Sequence, residues 1–183
     1  QYQQVSQAFA KLVEASTLSK KMLSKFIEER KEAFDDFAFE NEAAWLDETK
    51  RIIGDDLIDQ DRVKALHELL DDLIPTKKAI VFCHDEDVAE SVFEYLREHM
   101  EIQICRHCQE EENKTWRNFL HSDEHSVLVC GNIAEEGLNL QGGNKCIIHF
   151  DLPFNPNRIE QRVGRLDRFG DNDPITSYVI LCE

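Results

Sequence analysis

Short apolar runs alternate with amphipathic segments through most of this chain, and that alternation constrains its fold more than any other feature. Five runs read as strands: KAIVFCH at 78–84, IQIC at 102–105, HSVLVCG at 125–131, KCIIHFD at 145–151 and TSYVILCE at 176–183. Four segments read as helices: DRVKALHELLDDLI at 61–74, DVAESVFEYLREHM at 87–100, NKTWRNFLHS at 113–122 and RIEQRVGRLDRF at 158–169. In the first, Val63, Leu66, Leu69, Leu70, Leu73 and Ile74 recur at helical spacing; in the second, Val88, Val92, Phe93 and Leu96 do. Strands separated by crossovers of this length imply right-handed connections and a mostly parallel sheet. AIVF, VLV and II have no polar alternation, so both faces of that sheet are expected to be covered. The predicted fold class is α/β.

Residues 3–53 carry no strand signal. Val5, Ala8, Phe9, Leu12 and Val13, then Leu18, Met22, Leu23, Phe26 and Ile27, keep a three-and-four spacing. A further helix is expected over 32–53, with Phe34, Phe37, Ala38, Trp45 and Leu46 as its stripe and Gly54-Asp55-Asp56 as its stop. The expected division is a helical appendage or connector at 1–56 and an α/β domain at 57–183. The opening residues have neither an initiator Met nor a signal-peptide layout, so the chain reads as a piece of something longer.

No apolar run is long enough for a membrane helix, and no membrane partner is expected. Cys83, Cys130, Cys146 and Cys182 sit in or beside apolar runs, which suits buried, reduced thiols in a cytoplasmic protein better than disulfides. Cys105 and Cys108 form a lone CxxC without a second ligand pair, so no metal site is expected.

The net charge is -16, with 37 acidic against 21 basic residues. So acidic a chain argues against autonomous nucleic-acid binding, because phosphate contacts need Lys and Arg. Yet NPNRIEQRVGRLDRFG at 155–170 gathers Arg158, Arg162, Arg165 and Arg168. On one helix their side chains would share an arc of roughly 120°. Like charges at that spacing destabilise an isolated helix and are tolerated when an anion or acidic partner completes them. Glu160 and Asp167 neutralise only part, so an anion outside the chain, an acidic partner and an ordinary solvated charged face are the open readings. Guanidinium suits bidentate recognition of phosphate or carboxylate. Gly164, read as helix interior, suggests close approach of a ligand or backbone.

Two phrases carry a resemblance. GNIAEEGLNLQ at 131–141, then FDLPFNPNRIEQRVGRLDRFG at 150–170, resemble the fifth and sixth motifs of superfamily-two helicase-like ATPases. Within them the likeness is to the Swi/Snf group, and nearest to bacterial RapA-type proteins; eukaryotic remodellers usually have Trp where Phe154 stands. KAIVFCHDEDVAESVFEYL resembles the fourth motif more loosely. The resemblance covers 57–183.

It implies the second of two RecA-like lobes, a three-layer sandwich, with ATP held in the cleft between lobes. No GxxxxGK[ST] stretch or DExH-like box is present, so the phosphate loop and Mg ligands are expected on a first lobe, the implied partner. Arg165 and Arg168 match the two arginines that reach the phosphates as arginine fingers. Gln161 and Arg162 match residues that orient those fingers or couple them to the facing lobe. Gly137 and Asn139 match nucleotide-proximal positions. Gln141, Asn155 and Arg158 match positions for nucleic-acid contact or lobe coupling. The implied activity is an ATP-dependent, DNA-binding translocase or remodeller, inactive as an isolated lobe. Implied surroundings are duplex DNA, RNA polymerase or another protein, in a bacterial cytoplasm or nucleoid. Glu110-Glu111-Glu112 and Asp171-Asn172-Asp173 depart from the family pattern and weaken the expected duplex binding. Two alternatives stay open: a protein-interaction module built on the acidic helices, and a strand-separating helicase.

Overall fold

The computed structural model describes residues 2–33, 41–54, 59–108, 115–121, 126–135, 137–141, 145–167 and 175–181. The chain divides into two compact units, Gln1–Asp59 and Gln60–Glu183.

The described residues of the first unit form three helices, α1 (Tyr2–Leu18), α2 (Lys20–Glu32) and α3 (Glu42–Ile53). The unbroken apolar spacing predicted one helix across α1 and α2, but Ser19 ends it. Its backbone is extended and its hydroxyl accepts the Met22 N–H at 3.1 Å, a local N-cap. Leu18, Ile27 and Leu46 are buried, and Arg30 grips the buried Glu42 through two bonds of 2.6 and 3.1 Å. An apolar cleft of about 340 Å³ is lined by Ala8, Phe9, Leu12, Phe26, Trp45 and Leu46 beside that ion pair. Phe9 and Trp45, expected on the inner stripe, are exposed. Phe34, Phe37 and Ala38 lie outside the described residues.

The second unit is built on a five-stranded sheet in the order β2-β3-β1-β4-β5, all pairings parallel. The strands are β1 (Lys78–Phe82), β2 (Gln103–Arg106), β3 (Ser126–Cys130), β4 (Lys145–His149) and β5 (Thr176–Val179). Central β1 sets the register, Val81 facing Val129 on one side and Ile148 on the other. Every residue of β3 is buried, and so is β1 beyond its first residue, which accounts for their unbroken apolar character.

Helices α4 (Gln60–Leu73) and α5 (Glu86–His99) pack together and against β1, β2 and β3. Their inner residues Val63, Leu66, Leu70, Val88, Val92 and Leu96 are all buried. A second core joins Ile80, Phe82, Leu128, Cys130 and Ile147 to Phe119 of α6 (Thr115–His121) and to Leu138, Leu140 and Leu166. Each such side chain contributes about 1.5–3 kcal/mol when fully buried. Cys83, Cys130 and Cys146 are buried thiols, and burial pushes all three up from their usual pKa. Cys182 lies outside the described residues.

Parallel pairing sends the chain out of β1, β3 and β4 at one edge. The loops 83–85, 131–141 and 150–155 therefore meet there, with α7 (Pro156–Gly164) leading away. No described helix is long and apolar enough to cross a membrane.

Candidate nucleotide-facing site

The Pro-x-Asn-Pro turn builds α7. Asn155 is its N-cap, accepting the Asn157 N–H at 3.0 Å, and Pro156 takes the first helical position, where no N–H is needed. The helix ends at Gly164, five residues short of the predicted end. Arg165 N–H bonds back to Gln161 and Arg162 carbonyls, and Leu166 N–H to Val163. Gly164 is thus terminal, and a Cβ there would meet nothing within 4 Å, so the chain itself supplies no close neighbour.

The arginines do not share one external anion, as the helical row suggested. Arg162 is wholly buried. Its Nε donates to Glu135 Oε1 at 2.7 Å and its Nη1 to the Asp151 carbonyl at 3.0 Å, while Nη2 lies 3.6 Å from Asp151 Oδ1. Arg158 is bidentate to Glu135, Nε to Oε2 at 2.7 Å and Nη2 to Oε1 at 3.0 Å, and also bonds the His84 carbonyl at 3.0 Å. The expectation of an outside anion is corrected for these two: their carboxylates are Glu135 and Asp151. Arg158 and Arg162 are instead internal struts between α7 and the sheet edge.

Burial tunes the groups around Arg162. Asp151 is pushed up to about 6, because desolvation outweighs the Arg162 cation and the His84 N–H, which donates to Oδ2 at 2.7 Å. His149 is pushed down to about 4 by burial and then by Arg162. Arg162 Nη1 stands 3.3 Å from His149 Nδ1, and His149 Nε2 stands 3.0 Å from Ser177 Oγ. A guanidinium only donates, so Nδ1 accepts and Nε2 carries the proton toward Ser177.

Arg165 differs. It is half-buried, and its Nε donates to the Glu135 main-chain carbonyl at 2.8 Å. Among the described residues its two Nη groups make no bond and no carboxylate pairs with it. Its own carbonyl accepts the Leu140 N–H at 3.0 Å. Gln141 Nε2 reaches the Asp167 carbonyl at 2.9 Å, and Lys145 Nζ closes the loop onto the Leu140 and Gln141 carbonyls at 3.0 and 3.3 Å. The loop 131–141 and the end of α7 are thereby joined.

Gly137, Asn139 and Gln161 are exposed. Gly137 has φ +96°, which favours glycine, and open space beside it. Asn139 Oδ1 caps its own loop by accepting the Gln141 N–H at 3.1 Å. Arg168, Glu110–Glu112 and Asp171–Asp173 lie outside the described residues.

Sequence reasoning missed Glu135, Asp151 and His149. Each had a weak signal: an acidic pair inside NIAEEGL, and two polar residues closing the apolar run IIHFD. Arg162, which they share, is 11–27 residues away, beyond any local pattern.

The helicase conserved C-terminal domain family matches residues 61–170. The chain belongs to this family. The RNA polymerase-associated protein RapA of Vibrio parahaemolyticus is 53% identical over 53 residues, covering 29% of this chain and 5% of that protein. RapA of Proteus mirabilis is 36% identical over 104 residues, 54% of this chain and 11% of its own length. The C-terminal part of the Fun30 ATPase domain superposes with TM-score 0.55 at 20% identity, covering 64% of this chain and 40% of that one. The chain is a helicase C-terminal domain with a RecA-like fold, preceded by a helical unit, and part of it is similar to RapA proteins. It spans 5–11% of the length of these two relatives.

Proposed function

We propose that this helicase lobe serves an ATP-dependent nucleic-acid translocase, donating arginine side chains to a nucleotide held by a first RecA-like lobe. One observation carries it. Of the three described arginines in 155–170, Arg158 and Arg162 are consumed by internal carboxylates, whereas among the described residues Arg165 is held only at Nε and keeps its fork open. A guanidinium so anchored can place two Nη groups against phosphate oxygens. Bound ATP supplies a phosphoryl group whose transfer spreads charge over its oxygens, and preset donors stabilise that charge.

The residues present fit the phosphate end of a nucleotide: Arg165 at the edge, with exposed Gly137, Asn139 and Gln161 in the same motifs. Arg168 takes the second finger role on its motif position. No phosphate loop is present in this chain, so Mg and the triphosphate grip fall to the first lobe. Since the relatives are RNA polymerase-associated proteins, RNA polymerase and duplex DNA are the proposed partners of the full-length protein.

The test is ATP turnover. The isolated chain should hydrolyse no ATP above background. In the full-length protein, Arg165→Ala and Arg168→Ala should each lower kcat by about 10³-fold with melting unchanged. Wild-type turnover in either variant would overturn the finger assignment of that residue.

A further inference from the structure

We infer that Glu135 is the positioning residue for Arg165: its carboxylate fixes a turn whose carbonyl aims the open guanidinium. This rests on the role proposed above for Arg165.

One residue touches all three described arginines of the motif. The Glu135 side chain is 4% exposed, and its carboxylate takes three N–H bonds, two from Arg158 and one from Arg162. Those bonds fasten the short 3-10 turn Asn132–Glu135 to α7. The other end of the turn is fastened to α5. Ile133 N–H donates to Glu86 Oε1 at 3.2 Å, and Gly131 lies so close to Glu86 that a Cβ would stand 2.1 Å from that oxygen. A turn pinned at both ends has one direction for its last carbonyl. That carbonyl receives Arg165 Nε at 2.8 Å, while Leu140 from the same loop grips the Arg165 main chain.

A guanidinium is planar, so fixing Nε–H fixes the plane in which both Nη groups lie. The donors are then set before any phosphate arrives, and little reorganisation is left for the reacting state. Packing alone does not require this arrangement. A buried ion pair is often no more stabilising than apolar residues of similar volume. What the charges provide here is a defined orientation of the turn.

The experiment is a double-mutant cycle in the full-length protein, reading kcat and KM for ATP beside thermal melting. Glu135→Asp keeps the charge but withdraws it by one methylene. It should lower kcat about tenfold while KM for ATP changes less than threefold. In an Arg165→Ala background the same change should lower kcat no further. Wild-type kcat in Glu135→Asp would overturn the inference. So would equal fold-losses with and without Arg165, since that is what a general disturbance of the fold gives. Wild-type kcat in Arg165→Ala alone would sink the finger assignment first, and is read separately. Should Glu135→Asp fail to fold, Arg158→Met loosens the same turn while leaving Arg162 paired, and the same non-additivity with Arg165 decides.

Discussion

Arg162 shows how far burial can take a cation when every donor is met. Removing it would strand Asp151 and half of Glu135's carboxylate in the core. Arg162→Leu should therefore cost about 3–5 kcal/mol in urea unfolding, while Arg165→Ala should cost less than about 1 kcal/mol. His149 and Asp151 give opposite pH signatures. His149 falls from its ordinary value to about 4, so between pH 4 and 6.5 the unfolded chain binds more protons and stability rises with pH. Asp151 rises to about 6, so across pH 4 to 6 the folded chain binds more and stability falls with pH. The two offset each other in the wild type. His149→Asn removes the rising contribution. Its stability relative to wild type should fall by up to about 3 kcal/mol from pH 4 to 6.5, measured by denaturant melts at each pH. A difference that does not change with pH would contradict the assigned burial.

Element boundaries follow from caps more than from periodicity. Ser19 splits an apolar pattern that runs on through Leu18 and Met22, and its extended backbone and hydroxyl bond to Met22 N–H mark the break. Asn155 caps α7, which starts at Pro156, two residues before the expected Arg158. Asn155→Ala should cost about 1 kcal/mol, read as a lower melting temperature of the chain. At its other end α7 stops at Gly164, since Leu140 N–H and Glu135 capture the carbonyl and side chain of Arg165. Tertiary partners thus override a helical pattern that runs to Phe169. The strands and the parallel sheet were legible because AIVF, VLV and II have only apolar faces to bury. The pairing of Arg158 and Arg162 was not, because it depends on where β3 and β4 release Glu135 and Asp151 at the sheet edge.

At the scale of the molecule, an acidic lobe spends two of the three described arginines in 155–170 on its own architecture and, among the described residues, leaves the third open. The motif phrases at 131–141 and 155–170 pointed to the right edge of the sheet, and the family match covers both. They did not say which arginine is structural, since all share one spacing and one charge. The most direct test is a structure of the full-length protein bound to ADP and a fluoride mimic of the transferring phosphoryl group. Arg165 is expected with Nε still on the Glu135 carbonyl and an Nη group roughly 3 Å from a ligand oxygen or fluoride. An Arg165 fork turned back onto carboxylates of its own lobe, out of reach of the phosphates, would contradict the account.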